Sequence, residues 1–264
     1  MGLYGSLYIK GSPNFCVDVT VLSWRHSTHV AGIIGARKNG LGVIGVAPKC
    51  ELYAAKAFDK NGNGNFSAIQ KSIDWLIRKR VHIINMSFSS SVGNAGYESI
   101  LQKANDNDIT LICAAGNEGK RIGNTIGYPG KFPQTIAVTA VDFNRHTTDF
   151  SSQGYESELC AAGQDIYSTY LNNSYASLSG TSMATPIISG AAAILQGKGY
   201  RRYRRYLTPP EIRFLLHMYT EDISKNGWDK YYGYGLFSFG RLEKSEYIGD
   251  LLTQKTASFR PGRP

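Results

Sequence analysis

Apolar residues recur at helical spacing at Phe66, Ile69, Ile73, Leu76 and Ile77, one stripe on a 3.6-residue period. The run Val81-His82-Ile83-Ile84-Asn85-Met86 follows at once, so the pattern predicts a helix feeding a buried strand. It then repeats. A mixed segment from Tyr97 to Asn107 precedes Ile109-Thr110-Leu111-Ile112-Cys113-Ala114-Ala115, whose unbroken apolar character suits a strand covered on both faces. Thr135 to Val141 predicts another strand, and the small, apolar segment from Met183 to Leu195 predicts a helix buried at the centre. Thr208-Pro209-Pro210-Glu211 opens a further helix, with Thr208 as N-cap and Pro209 in the first turn. Alternation of this kind predicts one α/β domain with a mostly parallel central sheet and helices on both faces.

Turn-rich stretches from Asp59 to Asn65 and from Asn117 to Gly130 read as loops over the rim of that sheet. The 264 residues, 42% of them hydrophobic, are enough for one large core. No run of about 18 apolar residues offers a membrane span, and the first residues lack the basic, apolar, small-residue order of a signal peptide. A cytoplasmic protein without a membrane partner is the expectation. Cys16, Cys50, Cys113 and Cys160 are scattered without a Cys-x-x-Cys pair, which predicts free, buried thiols. The net charge of +9 raises the question of an anionic partner. Much of it is local, in Lys198 to Tyr206 and in the tail Arg260 to Pro264. The first of these interleaves arginine and tyrosine as single-strand binders do, but a solvated loop between two helices accounts for it, and nucleic acid is not expected.

Three segments far apart in sequence each carry one component of an acyl-transfer site. His26-Ser27-Thr28-His29-Val30-Ala31-Gly32 places an imidazole, whose usual pKa lies near neutrality, at the start of a small-residue helix. Gly180-Thr181-Ser182-Met183-Ala184-Thr185-Pro186 places Ser182 where the chain enters the buried helix. Unpaired N–H groups at such a helix start suit a developing oxyanion. Ala114-Ala115-Gly116-Asn117-Glu118-Gly119 places Asn117 at the carboxyl end of a sheet strand, where α/β folds gather their ligands. Singly, each has a structural explanation: a satisfied histidine, a helix cap, a turn asparagine.

Together and in this order, the three strings resemble the histidine, asparagine and serine motifs of the subtilisin-like serine proteases. Gly42-Val43-Ile44-Gly45-Val46-Ala47-Pro48, Ile84-Asn85-Met86-Ser87, Gly127-Tyr128-Pro129-Gly130, Phe150-Ser151-Ser152 and Tyr232-Gly233-Tyr234-Gly235 continue the likeness. The stretch after the serine, with Leu207-Thr208-Pro209-Pro210-Glu211, is more similar to the intracellular branch. The resemblance implies a subtilisin-like three-layer fold for a catalytic domain at 24–241, flanked by an atypical segment at 1–23 and a tail at 242–264. It implies hydrolysis of protein or peptide substrates through an acyl-enzyme at Ser182, with His26 as base, Asn117 as oxyanion donor and His29 as a structural histidine. By the same likeness, Gly62-Asn63-Gly64 and Ser87-Phe88-Ser89 sandwich an extended substrate strand, and Ala114, Ala115 and Gly116 wall the pocket before the scissile bond. The oligomeric state is left open.

Departures accompany the likeness, a minor one being Ser27 after His26, where the family most often has Gly. The family's catalytic aspartate ends a central strand some thirty or more residues ahead of the histidine, followed by a Thr-Gly or Ser-Gly turn. Only Asp18 precedes His26 here, in Cys16-Val17-Asp18-Val19. The expectations are a domain without that strand, activity impaired for want of the carboxylate, and, as the alternative, a peptide-binding pseudoprotease. No cofactor is required. Calcium is the one ion the resemblance admits, at Arg37 to Val43, where Asn39 is the candidate ligand and an acidic ligand is missing. The His-x-x-His spacing of His26 and His29 lacks the intervening Glu and third ligand of a zinc site.

Overall fold

The computed structural model describes residues 16–21, 24–59, 64–119, 122–224 and 227–244. The two apolar runs become β3 and β4 of the sheet that organises the molecule. In chain order the elements are β1 (Cys16–Val21), α1 (Trp24–Gly35), β2 (Glu51–Lys56), α2 (Phe66–Lys79), β3 (Ile83–Met86), α3 (Ala95–Asn105), β4 (Thr110–Ala114) and β5 (Thr135–Val141). They continue with β6 (Ser157–Ala162), β7 (Ile166–Tyr170), β8 (Ser174–Leu178), α4 (Thr181–Tyr203), α5 (Pro209–Met218), β9 (Thr220–Glu221), β10 (Leu236–Phe237) and α6 (Phe239–Lys244).

The sheet order is β2-β1-β3-β4-β5-β6-β10-β9, parallel throughout except where β9 pairs with β10. Side chains alternate across a strand, and here both faces are covered. Ile83 and Ile112 join a core with Val30 and Ile34 of α1 and Met183, Ile188 and Leu195 of α4. Their neighbours Ile84, Leu111 and Cys113 join the other core, with Ile73 and Leu76 of α2 and Leu101 of α3. Burial on both sides is why these strands read as continuous apolar runs. The small residues of α4 let that helix sit deep: a Cβ on Gly190 would lie 2.6 Å from the Val46 Cβ.

The helix starts follow their sequence signals. Asn65 Oδ1 accepts from the Ala68 N–H at 2.8 Å, and Asn94 Oδ1 from Tyr97 at 2.9 Å. At α5 the Thr208 N–H donates to Glu211 Oε2 at 2.8 Å, half of a capping box.

Three features differ from the sequence expectation. The sheet has its inner strand: β1 lies between β2 and β3, with Val17 opposite both Leu52 and Ile83. The order of residues places Asp18 in the middle of β1, opposite Tyr53 and Ile84, about 10 Å short of its carboxyl end. That end is Val21, opposite Lys56. Secondly, α4 continues through Tyr203 and stops only where Arg204 turns left-handed (φ 56°), so most of the basic stretch expected in a loop is helical. Thirdly, α6 crosses the boundary expected at 241. Leu242 is buried, and its carbonyl accepts from Lys198 Nζ at 3.0 Å.

Candidate active site

Ser182 is the second residue of α4, so its N–H has no acceptor within the helix. Asn117, in the loop after β4, is clamped beside it. Its Oδ1 accepts from both the N–H and the hydroxyl of Thr181, each at 3.0 Å. A backbone donor fixes which end of the amide is oxygen, so Nδ2 is turned outward, and among the described residues it has no partner. The Thr181 hydroxyl also accepts from the Gly116 N–H at 3.2 Å. One buried threonine thus ties the β4 loop to the start of α4.

Gly180 lies beside both free donors. A Cβ built on it would stand 3.3 Å from Asn117 Nδ2 and 3.7 Å from the Ser182 N. Both nitrogens therefore border the same small volume, at the positive end of a 23-residue helix. An oxygen gaining negative charge there meets two preorganised donors. Sequence reasoning singled out Asn117 and Ser182 but passed over Gly180 and Thr181, although both stand in the serine motif itself.

The Ser182 hydroxyl donates to the Ser87 carbonyl at 2.9 Å; no hydrogen bond joins it to His26. Behind Ser87 a buried chain holds the strand end: Asn85 Nδ2 donates to Ser87 Oγ at 2.9 Å and Ser189 Oγ to Asn85 Oδ1 at 2.9 Å. His26 sits in the first turn of α1, a helix that packs along α4. Burial, and to a smaller degree the positive charge of His29, pull the His26 pKa down to about 4. Among the residues whose side chains are described, no carboxylate offsets that pull. His29 is engaged elsewhere: its Nε2–H faces the carbonyls of Ile166 and Ala176 at 2.9 and 3.0 Å, tying α1 to the β7–β8 hairpin.

The expected substrate segments come out unevenly. Ser87 and Phe88 are buried, whereas Ser89 is exposed and its backbone N–H and C=O have no partners among the described residues, which leaves a short open edge. The Phe88 ring packs on Phe58 at 4.9 Å, and Phe58 forms an antiparallel bridge with Gly64. Gly62 and Asn63 lie outside the described residues. Ala114 and Ala115 are 1% and 0% exposed, buried at the carboxyl end of β4. Gly116 (φ 117°) has no room for a side chain, since a Cβ there would come 3.1 Å from Ser89 Oγ and 2.9 Å from Ser152 Oγ.

The 37–43 loop does not fit a calcium cage. Asn39 Oδ1 accepts from the Leu41 N–H at 3.1 Å within its own turn, and the loop carries no carboxylate, whereas calcium asks for six to eight oxygens. No group of three metal-ligating side chains occurs among the described residues. Cys50, Cys113 and Cys160 are buried, with burial raising the Cys113 thiol to about 12. No helix among the described residues is long and apolar enough to cross a membrane.

A parallel sheet between two helical layers, with a serine opening the central helix and an asparagine amide clamped beside it, defines the subtilisin-like fold. The chain belongs to the Subtilase family (peptidase S8), whose profile matches residues 20–235. It is 42% identical over 216 residues to the "Thermostable alkaline protease" of Halalkalibacterium halodurans, covering 82% of this chain and 57% of that one. It is 41% identical over 214 residues to "Subtilisin DY" of Bacillus licheniformis, covering 81% and 75%. Against the "Minor extracellular protease Epr" of Bacillus subtilis it is 37% identical over 214 residues, covering 81% and 32%. The chain thus spans from a third to three quarters of the length of these relatives. One of them is named for an extracellular location, so the likeness lends the expected cytoplasmic location no support.

Proposed function

We propose that this protein is a serine endopeptidase of low turnover, acting through an acyl-enzyme at Ser182. The observation that carries the reading is the pair of free donors, Asn117 Nδ2 and the Ser182 N–H, around one volume beside the Ser182 hydroxyl. In the proposed step that hydroxyl leaves the Ser87 carbonyl and gives its proton to a ring nitrogen of His26 as Oγ bonds to the peptide carbonyl carbon. The carbonyl oxygen becomes the oxyanion held by the two donors. As the C–N bond breaks, His26 returns the proton to the leaving amine, and water then repeats the sequence on the acyl-enzyme. The substrate lies extended along the free Ser89 edge.

Low turnover follows from His26. Its pKa of about 4 keeps it neutral and able to accept a proton, but makes it a weak base. In serine proteases a carboxylate fixes the imidazole tautomer and stabilises the imidazolium, and its loss costs about 10⁴ in turnover. Here β1 occupies the slot beside β2 and β3 and ends on Val21. Hydrolysis of a chromogenic peptide, measured beside the Ser182→Ala variant, tests the reading. Slow hydrolysis abolished by Ser182→Ala supports it. Peptide binding with no Ser182-dependent hydrolysis favours the pseudoprotease alternative.

A further inference from the structure

At the end of the sheet opposite Ser182, α2 and α4 each end in basic residues, and Tyr206, just after α4, meets His82, just after α2. α2 ends at Lys79 with Arg80 as its left-handed cap, and α4 ends in Arg201, Arg202 and Tyr203 with Arg204 as its cap. Two nearby guanidiniums are committed: Arg78 to Asp74, and Arg205 to both oxygens of Glu211, at 2.6 and 2.8 Å. Arg80, Arg201, Arg202 and Arg204 are exposed, and none has an ion pair among the described residues. The partial negative charge at each helix end amounts to about half a unit, so four guanidiniums leave a positive excess.

Between the helix ends lies a cleft of about 440 Å³. Ile77, Val81 and Leu207 give it apolar surface, while Arg80, His82 and Tyr206 add cationic and aromatic groups. Tyr206 stacks on Tyr200 at 5.0 Å and packs at a tilt on His82 at 3.8 Å, and Tyr203 carries the Arg205 guanidinium at 5.7 Å. These four rings are thus engaged with one another or with arginine, whereas single-stranded nucleic acid needs open faces for base stacking. Asp106 and Asp108 also line the cleft and interrupt the positive field. An evenly charged phosphodiester backbone meets them as repulsion, while a polypeptide can place its carboxylates between them.

We propose that this pole docks an acidic polypeptide segment, with an apolar side chain in the cleft and flanking carboxylates on Arg80, Arg201, Arg202 and Arg204. The planar guanidinium fork suits carboxylates. The length of α4, about 35 Å for its 23 residues, separates this surface from the Ser182 cleft, so docking is independent of the proposed peptidase chemistry.

The test uses the full chain carrying Ser182→Ala, so that the probe is not cut, and follows the fluorescence anisotropy of a labelled peptide of glutamates around a single leucine. Arg201→Gln, Arg202→Gln and Arg204→Gln together are expected to weaken binding at least about tenfold. Raising salt from about 50 to 300 mM weakens it as well. Replacing the leucine of the probe by serine costs about fivefold more, one buried side chain being the difference. If the triple variant melts early, Arg80→Gln on the other helix carries the same test with a smaller loss. No binding by about 1 mM peptide, or equal binding by the variants, overturns the proposal. So does an oligothymidylate or a phosphatidylserine vesicle that displaces the peptide at lower charge concentration.

Discussion

Gly180→Ala tests the oxyanion geometry most directly. The new methyl would stand 3.3 Å from Asn117 Nδ2 and 3.7 Å from the Ser182 N, in the volume where an oxyanion must approach within about 2.7–3.1 Å of its donors. Methyl and oxyanion exclude one another. Removal of a single oxyanion donor in a protease of this family costs about 10²–10³ in turnover. Obstruction of both donors is expected to lower kcat by about 10³, with KM changed little, because the contact matters only once charge develops. The backbone at Gly180 (φ 154°) adds strain of about 1–3 kcal/mol, visible as a lower melting temperature but too small to unfold a domain with stability in the ordinary range. The assay is single-turnover acylation by an activated peptide ester, with a circular-dichroism melt on the same samples. Asn117→Ala is the reference: if both substitutions act on one oxyanion, Gly180→Ala adds much less to Asn117→Ala than it costs alone. A folded Gly180→Ala protein with kcat within about threefold of the parent would refute the assignment of these two donors.

A carboxylate placed at the carboxyl end of β1 by Val21→Asp is expected to raise turnover about 10²-fold or more and to move the acid limb of the pH–rate profile upward, read from kcat/KM between pH 4 and 9. The parent limb should lie low, because His26 titrates near 4. The same depression makes stability depend on pH: unfolding restores the usual 6.5, so the contribution is full above 6.5 and is lost as pH falls toward 4, by at most about 3 kcal/mol. The shift in urea midpoint between pH 7 and 4.5 should therefore shrink in His26→Gln. Thr181→Ala removes the hydroxyl joining Gly116 to Asn117 and is expected to lower kcat about tenfold, with a loss of about 1–2 kcal/mol in denaturant titration. Gly190→Ala drives a methyl to 2.6 Å from the Val46 Cβ and should destabilise by about 1–3 kcal/mol in the same titration.

The sequence by itself determined the layered α/β fold, because strands buried on both faces must be continuously apolar, as Ile83 to Met86 and Thr110 to Ala114 are, and the helices between them must carry a one-sided stripe, as α2 does. It also determined which short strings carry chemistry, since Ser182 and Asn117 stand at a helix start and a strand end that local pattern locates. Strands without such patterns stayed hidden. Glu51–Lys56 is alanine-rich, and Ser157–Ala162 contains Glu158, a carboxylate buried only because Arg213 and His217 meet it at 2.7 and 2.9 Å. Neither partner is near it in sequence. The same limit governs the site. That Cys16–Val21 takes the inner slot of the sheet depends on strands 35 and 66 residues further along the chain. That Asn117 presents Nδ2, and that Gly180 holds open the space before it, depends on Thr181 reaching across 64 residues. Periodicity and caps are local and legible in order along the chain; register, amide orientation and the charge around His26 are set by groups that only folding brings together.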